Sequence, residues 1–472
     1  MSLLCIKPLS VILADAEKES LRRSLGAGQL VALGIGAIIG AGIFSLTGVA
    51  AANFAGPAIA LSFVVAAIGC AFAGFCYSEF ATMIPIAGSA YTYAYATLGE
   101  IVAWIIGWAL VFEYAVGAAT VSVSWSATVD SMLKSFGINL PQSLLASPWS
   151  PNPGVVNLPA ALIIAIISGI LIVGIKESAR FNALIVVIKV SVVVMFIGIG
   201  YFFINYANYH PFIPENTTGE FGHFGWSGIL RGAGRIFFAY IGFDAVSTAA
   251  QETRNPKRDM PIGIIGSLGI CTFLYILYGF VLTGMVNYKD LNVAAPLAVA
   301  VDRMKDYPWI GFVMKLGSLA GLTSVMLVML LGQSRVFYSM SRDGLLPKLF
   351  SDLHPSHRTP WKSNLLLMLF CGLCGAFIPI DQLGDLTNIG TLFAFVLVCI
   401  GIIIMRRTQP DLPRPFRTPM VPLVPILGVI VNLALMASLS GITWMSFVTW
   451  MAVGLVVYFS YSKRHSVAQM LK

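Results

Sequence analysis

The sequence predicts an all-α membrane protein with about twelve transmembrane helices. Three observations lead there: the apolar fraction, the length of the apolar runs and the placement of the basic residues. Apolar residues make up 57% of the chain and charged residues only 11%. A soluble domain carries about 25% charged residues. This chain therefore has too few charges to cover a soluble surface of 472 residues, whereas a bilayer accepts apolar side chains on the outside.

Twelve apolar segments are long enough to cross a bilayer, which takes about 20 mostly apolar residues in a helix. In chain order, we number as segments 1 to 12 the residues 28–53, 57–84, 100–130, 157–175, 180–204, 228–250, 261–286, 309–338, 363–380, 385–405, 421–439 and 442–462. Between segments 2 and 3, residues 85–99 carry no basic residue, and we expect them to lie along the membrane surface.

The basic residues orient these segments, because cytoplasmic loops are enriched in Lys and Arg. With the N-terminus in the cytoplasm, twenty-one of the 29 Lys and Arg residues fall inside and only Lys134, Lys289, Arg303 and Lys305 fall outside. The predicted parts are a cytoplasmic tail (1–27), a first five-helix repeat (28–204), an extracellular loop (205–227), a second five-helix repeat (228–405), a cytoplasmic linker (406–420), two last helices (421–462) and a cytoplasmic tail (463–472).

Several function classes are excluded by the pattern of reactive residues. The net charge of +8 comes from short basic clusters between apolar runs, so we expect no nucleic-acid partner. Cys371 and Cys374 form a CxxC without a second pair or a nearby histidine, so no metal site is predicted. None of the five histidines lies in mid-membrane, and no nucleophile–base arrangement is visible. We therefore expect neither an enzyme nor a cofactor.

Segments 1 and 6 are poor continuous helices. Segment 1 places Gly34, Gly36, Gly40 and Gly42 within nine residues, and each glycine disfavours a helix by about 1 kcal/mol relative to alanine. In segment 6, Gly242 is followed by Asp244. Close helix packing through small residues, or an Asp that caps a helix, is the alternative explanation. Corresponding breaks in two halves of a chain indicate a binding site at the membrane midplane.

A broken helix suits a zwitterion. The restarted half-helix presents free N–H groups and a partial positive charge, which attract a carboxylate. The ended half-helix presents free carbonyl groups, which accept hydrogen bonds from an ammonium group. An amino acid can therefore satisfy both ends of the break.

Charged residues inside the apolar segments are few. Glu113 and Lys189 lie in mid-segment, where a charge costs on the order of 2.5–3.5 kcal/mol. Such residues usually mark a substrate or ion pathway, and the alternative is a structural salt bridge. Arg231 and Arg235 begin segment 6, where they either line an outer vestibule or extend toward the interface.

Seven sequence stretches resemble the amino acid–polyamine–organocation superfamily and, within it, the cationic amino acid transporter family of bacterial type. They span most of the chain in the family's order: Gly36–Thr47 (GAIIGAGIFSLT), Tyr77–Tyr95, Phe112–Gly117 (FEYAVG), Glu177–Lys189, Phe237–Glu252 (FFAYIGFDAVSTAAQE), Asn255–Pro261 and Gly332–Pro347. The chain departs from the family at Gln251, where glutamate is frequent, and at Arg235, where an apolar residue is expected.

The resemblance implies a LeuT-type fold, in which two inverted five-helix repeats are followed by two further helices. It implies that Glu113 lies at the side-chain end of the substrate pocket and that Lys189 occupies the place of a sodium ion in sodium-coupled relatives. The backbone contacts to substrate that it implies are those of Ile38, Gly40, Ala41, Gly42, Phe238, Ala239 and Ile241.

The expected function is proton-coupled symport of small neutral or cationic L-amino acids across the cell membrane. Its partners are then the amino acid, protons and membrane lipid. Removal from water favours the neutral form of a lysine, so Lys189 can load and release a proton. Thr323 and Ser324 argue for sodium instead, because paired hydroxyl groups help to bind it in related folds. An exchanger and a non-transporting sensor are the alternatives.

The topology is open to a direct test by cysteine labelling in intact cells. A membrane-impermeant thiol reagent is expected to reach cysteines placed in loop 205–227 and to reach those in linker 406–420 only after lysis. The reason is the Lys and Arg bias, which puts the linker inside. Labelling of the linker from outside would reverse the orientation.

Overall fold

The computed structural model describes residues 6–7, 25–84, 89–173, 179–304, 308–357 and 359–467. Most of the predicted N-terminal tail and residues 468–472 of the predicted C-terminal tail lie outside these ranges, as do Lys176, Lys305 and Arg358. The described part is helical and contains no β-strand, only two isolated bridges, Leu25 with Thr253 and Leu145 with Asn157. An all-α membrane protein is the class that the composition predicts.

Helix is present in each of the twelve numbered segments. Segment 1 contains Ala27–Ile38, Gly42–Leu46, Thr47–Ala50 and Ala51–Ala55; segment 2, Ile59–Met83; segment 3, Glu100–Val111, Phe112–Val116 and Gly117–Ser135; segment 4, Leu158–Val173; segment 5, Ala179–Gly200; segment 6, Gly225–Ile236, Phe237–Tyr240 and Asp244–Glu252; segment 7, Pro256–Met285; segment 8, Pro308–Arg342; segment 9, Trp361–Phe377; segment 10, Ile380–Thr408; segment 11, Leu423–Ala437; and segment 12, Gly441–Val457. A further helix, Ser89–Thr97, precedes segment 3.

Seven helical stretches of the described chain are long and apolar enough to cross a membrane. They are Gly42–Met83, Glu100–Ser135, Leu184–Phe203, Pro256–Met285, Trp309–Arg342, Ile380–Thr408 and Gly441–His465. Four shorter apolar helices accompany them: Ala27–Ile38, Leu158–Val173, Trp361–Phe377 and Leu423–Ala437. The chain is a multi-pass membrane protein.

Large apolar side chains also cover the outside of the bundle. Ile166, Val187, Phe273 and Leu369 are all more than half exposed. In water such a surface would associate with other apolar surfaces. In a bilayer it faces lipid, so the exposed residues fit the membrane environment that the composition predicts.

The two ends of the described chain meet at one face of the bundle, which we call the terminal face. Lys7 Nζ lies 3.1 Å from Asp343 Oδ1, and Val467 N donates to Asp343 O at 3.0 Å. The opposite face is defined by contacts between Phe54 and Phe224, whose N–H donates to Phe54 O at 3.0 Å. An even number of crossings returns the two termini to the same face.

The helix Ser89–Thr97, which lies in the stretch expected along the membrane surface, packs against the bundle at the terminal face. Tyr91, Tyr93 and Tyr95 are at most 1% exposed. Tyr91 donates a hydrogen bond to Asp343 Oδ2 at 2.8 Å, at the terminal face. Aromatic residues therefore hold this short helix in place, although the sequence offered only its lack of basic residues. Residues 85–88 lie outside the described chain.

The linker after segment 10 is bound to the bundle through a buried carboxylate. Glu79, which is fully buried, accepts two hydrogen bonds from Arg406 at 2.8 and 2.9 Å. It also accepts the N–H of Thr418 at 2.8 Å, and Arg414 Nε lies 3.3 Å away. A carboxylate with this many donors is well satisfied in a dry site. The linker is therefore fastened to segment 2 at both of its ends.

Candidate functional site

Segment 1 is interrupted where the sequence predicts a break. The helix Ala27–Ile38 ends with Ile39 in an extended conformation (φ −72°, ψ 106°), and helical structure begins again at Gly42–Leu46. Glycines on both sides lower the helical preference. The carbonyl groups that end the first half-helix and the N–H groups that begin the second are therefore brought close together.

Segment 6 is interrupted in the same way. The helix Gly225–Ile236 tightens into the 3-10 turn Phe237–Tyr240, which ends at Ile241 in an extended conformation (φ −59°, ψ 136°). Gly242 follows at φ 111°, a left-handed value that L side chains rarely adopt. The helix Asp244–Glu252 then begins. Glycine is required here by the backbone angle itself.

The two breaks contact each other. A Cβ added to Gly42 would overlap the backbone of Ala239, and a Cβ added to Gly242 would lie 2.8 Å from Ala37 O. The predicted backbone contacts of segments 1 and 6 are thus gathered in one place. This group, which we call the paired breaks, consists of Ile38, Gly40, Ala41, Gly42, Phe238, Ala239 and Ile241, and all seven are buried.

Side chains from other segments bind the carbonyl groups that precede the first break. Tyr275 Oη donates to Ile38 O at 3.0 Å. Lys189 Nζ donates to Gly36 O at 2.6 Å. Backbone groups at this depth need such partners because no water is available in the hydrocarbon. The break is therefore supported from segments 5 and 7.

Lys189 joins three segments. It is fully buried in segment 5, binds segment 1 at Gly36 O, and lies against segment 8, where a Cβ added to Gly321 would be 3.2 Å from its Cγ. The hydroxyl groups that favoured sodium have partners of their own. Thr323 Oγ1 donates to Leu319 O at 2.8 Å and accepts the indole N–H of Trp125 at 3.1 Å.

Glu113 lies in the turn Phe112–Val116 and is fully buried. Its carboxyl group is beside that of Asp244 and beside the Thr391 hydroxyl. Tyr114 Oη donates to Asp244 Oδ2 at 2.8 Å. The structure therefore brings two carboxyl groups together next to the sixth-segment break. Two adjacent negative charges repel each other strongly in a dry site.

Asp244 is the residue whose role the sequence left incomplete. It lies in the first turn of the helix Asp244–Glu252, but the N-cap residue of that helix is Phe243, so Asp244 is not at the capping position itself. Its pairing with Glu113 and Tyr114 joins residues more than a hundred positions apart. No local pattern carries that contact, although both partners lie in stretches that resemble the family.

Arg235 is paired and not extended toward the interface. Its Nη1 lies 2.6 Å from Asp385 Oδ2, and both side chains are at most 9% exposed. Arg231, one turn earlier, lies over the ring of Phe54 at 4.8 Å. The pair joins segment 6 to segment 10 at the face opposite the termini.

The paired breaks are closed to solvent from both faces. Ile38, Phe238 and Ile241 are at most 3% exposed, and Ala41 and Ala239 are fully buried. Glu113 and Lys189 are fully buried as well. The described arrangement is thus an occluded one, in which a small molecule can reach the breaks only after a rearrangement.

A family model described as amino acid permease matches residues 25–462, nearly the whole chain. The chain belongs to the amino acid permease family. This places it in the amino acid–polyamine–organocation superfamily that its sequence stretches resemble.

The relatives of this permease are named as transporters. It is 44% identical to the methylthioribose transporter of Bacillus subtilis over 98% of each chain. It is 44% identical to the branched-chain amino acid permease BcaP of the same organism, over 97% of this chain and 96% of that protein. It is 38% identical to the vacuolar cationic amino acid transporter 4 of Arabidopsis thaliana, over 83% of this chain and 64% of that protein.

Substitution of Gly42 by alanine is expected to abolish uptake and to lower the melting temperature. The added methyl group would overlap Ala239, so the paired breaks could not pack. Overpacking of this kind costs about 1–3 kcal/mol. The Cβ direction at Gly42 meets the backbone of Ala239 and does not enter open space.

Gly28→Ala is the matched control in the same segment, because a Cβ added at Gly28 would have no neighbouring atom within 4 Å. Uptake into proteoliposomes and thermal unfolding are measured for both variants. Wild-type uptake by the Gly42→Ala protein would contradict the contact between the breaks.

Proposed function

We propose that this permease is a secondary active transporter that carries amino acids by alternating access. The contact between the breaks of segments 1 and 6 carries the proposal. Transporter sites near the membrane midplane are formed by discontinuous helices of this kind, in corresponding positions of two repeats. Twelve membrane-spanning helices, arranged as two inverted LeuT-type repeats of five and two further helices, accommodate both breaks and bring both termini to one face.

The proposed location is the cell membrane, with the terminal face in the cytoplasm. The bias of Lys and Arg toward the loops of that face supports this orientation. Arg406 and Arg414, which bind Glu79 at the linker, lie on the same side. The face of Phe54 and Phe224 is then extracellular.

The proposed substrates are small neutral L-amino acids, with cationic ones as a second class. The substrate carboxylate would bind the N–H groups that begin again at Gly42, and its ammonium group would bind carbonyl groups of the paired breaks. The side chain would point toward Glu113, where Asp244 and Thr391 already lie. The names of the relatives include a branched-chain amino acid permease, a cationic amino acid transporter and a methylthioribose transporter.

Competition against labelled alanine distinguishes these substrates in proteoliposomes. We expect leucine and valine to reduce alanine uptake more than arginine does, because the branched-chain amino acid permease BcaP matches nearly the whole chain, whereas the match to the cationic amino acid transporter covers 64% of that protein. Methylthioribose, which is not an amino acid, is the control competitor. Competition by cationic amino acids alone would contradict the proposed specificity, and competition by methylthioribose alone would contradict amino-acid transport.

Protons are the proposed coupling ion, and Lys189 the residue that carries them. Its ammonium group occupies a position between segments 1, 5 and 8. A cation there repels sodium strongly in a site of low dielectric. The hydroxyl of Thr323 points to Leu319 and Trp125, which further disfavours a sodium site. Protonation strengthens the bond to Gly36 O, since charged donors form the stronger hydrogen bonds.

Two alternatives use the same site. An exchanger would bind and release amino acids on both faces without net proton flow. A sensor would bind them without much flux. Both retain the paired breaks. They differ in the consequence of substrate binding, which is exchange across the membrane for the first and sensing for the second.

Lys189→Ala is expected to abolish uptake driven by a pH gradient and to spare exchange of labelled for unlabelled amino acid. Loss of the ammonium group removes the proposed proton carrier and the donor to Gly36 O, while Tyr275 still donates to Ile38 O beside the break. Lys315→Ala is the matched control, because Lys315 is also buried but pairs with Asp302 at 2.7 Å, away from the breaks. Sodium-driven uptake, or undiminished gradient-driven uptake by Lys189→Ala, would contradict proton coupling.

A further inference from the structure

Some cations of the terminal face have carboxylate partners and others do not. Lys7 pairs with Asp343 at 3.1 Å, and Lys362 pairs with Asp352 at 2.6 Å. Four exposed cations of this face form no ion pair within the described chain: Arg254, Lys257, Arg258 and Arg417. Their positive charge is therefore available to an anion from outside the protein.

Three of these cations lie where the chain enters segment 7. Arg254 N donates to Leu25 O at 2.8 Å, and Leu25 N donates to Glu252 O at 3.0 Å. The loop is thereby bound to the beginning of segment 1. Lys257 and Arg258 belong to the first turn of the segment 7 helix. Because the backbone under these side chains is already ordered, an anion that binds them has only the side chains left to order.

Arg258 continues the lipid-facing side of segment 7. Ile262 follows it by four residues on the same face of the helix, and both side chains are exposed. Phe273, three turns beyond Ile262 on that face, is exposed as well. In a bilayer these apolar side chains contact acyl chains, so the guanidinium group of Arg258 lies at the level of the lipid headgroups.

Segment 2 lies between segments 7 and 11. A Cβ added to Gly69 would be 3.2 Å from Val431 of segment 11, and one added to Gly74 would be 3.7 Å from Ile264 of segment 7. The remaining side of segment 2 faces outward, so the three helices form a shallow groove that we call the segment-2 groove. Exposed apolar side chains line this groove: Val64 and Ile68 from segment 2, Ile262 and Phe273 from segment 7, and Leu423 and Ile430 from segment 11.

The end of the groove at the terminal face has a cation on each side. Thr418 Oγ1 donates to Phe75 O at 3.1 Å, so the neighbouring Arg417 lies where segment 2 approaches the terminal face. Across the groove, Arg258 precedes Ile264 by six residues, which places it about 9 Å nearer to the terminal face along the helix. The two arginines therefore lie at the same end of the groove, one on either side of segment 2.

An anionic phospholipid matches both parts of this surface. Its acyl chains contact the exposed apolar side chains, and its phosphate oxygens accept hydrogen bonds from guanidinium groups in a bidentate geometry. A soluble phosphate ester has no acyl chains to place in the groove. A zwitterionic lipid brings a cation of its own close to the arginines. The surface therefore favours a lipid with a net negative charge.

We propose that the segment-2 groove binds an anionic phospholipid of the surrounding membrane, whose headgroup is held by Arg258 and Arg417. Lys257 and Arg254 add positive charge beside the headgroup. Since the backbone of Arg254 is bonded to Leu25, a bound lipid also stabilises the beginning of segment 1. This inference goes beyond the proposed function, because it requires a chain in a membrane and no particular substrate or coupling ion.

Thermal unfolding of the purified full-length protein in detergent tests the site, with phosphatidylglycerol or phosphatidylcholine added. The variant with both Arg258→Gln and Arg417→Gln loses the two guanidinium groups at exposed positions, where the fold does not depend on them. The matched control carries Lys348→Gln and Arg464→Gln. These are also two exposed cations of the terminal face without an ion pair in the described chain, but they lie outside segments 2, 7 and 11.

We expect phosphatidylglycerol to raise the melting temperature of the wild type and of the control variant by several degrees, because a ligand of the folded state stabilises it. The rise for the Arg258→Gln, Arg417→Gln variant is expected to be roughly half as large or smaller. Equal stabilisation by phosphatidylcholine, or an undiminished rise for that variant, would overturn the site. Equal stabilisation by glycerol 3-phosphate would overturn the lipid in favour of a soluble phosphate ester. None of these outcomes depends on transport.

Discussion

The backbone contact between the breaks of segments 1 and 6 is the constraint on which the other features depend. Gly42 meets Ala239, and Gly242 meets Ala37, at distances that leave no room for a side chain. Interrupted helices in a bilayer require new partners for their backbone groups. Tyr275, Lys189 and Asn388 supply them from segments 7, 5 and 10. The need to satisfy two breaks thus explains polar residues scattered over three otherwise apolar segments.

Features with a local cause could be predicted from the sequence. Apolar runs predict the helices, clustered glycines predict the break in segment 1, and Gly242 followed by Asp244 predicts the break in segment 6. Contacts between distant residues could not be predicted, because charge and hydrogen-bonding partners far apart in the chain leave no periodic signal. Asp244 beside Glu113 and Arg235 beside Asp385 are of this kind. The resemblance to a family supplied the proposed role of Lys189, which a mid-segment charge alone only suggested.

The buried charged groups are satisfied in different ways. At the ends of the bundle, Glu79 binds Arg406 and Arg235 binds Asp385, so each charge has an opposite charge as its partner. Lys189, near the middle, donates to the backbone carbonyl of Gly36, which is a neutral acceptor. These ion pairs hold segments together, and the charges of their members change little while the pairs stay buried. A cation on a neutral acceptor can lose its charge without leaving an opposite charge unpaired at that acceptor.

Lys7 and Val467, from the first and last described stretches of the chain, both contact Asp343. Two residues 460 positions apart are held by one aspartate, on the face that also carries the helix Ser89–Thr97. Fluorophores attached at these two positions would lie within the range of efficient resonance energy transfer. Any outward swing of that face would lengthen the distance between the dyes. Loss of energy transfer between Lys7 and Val467 would therefore report a separation at the terminal face.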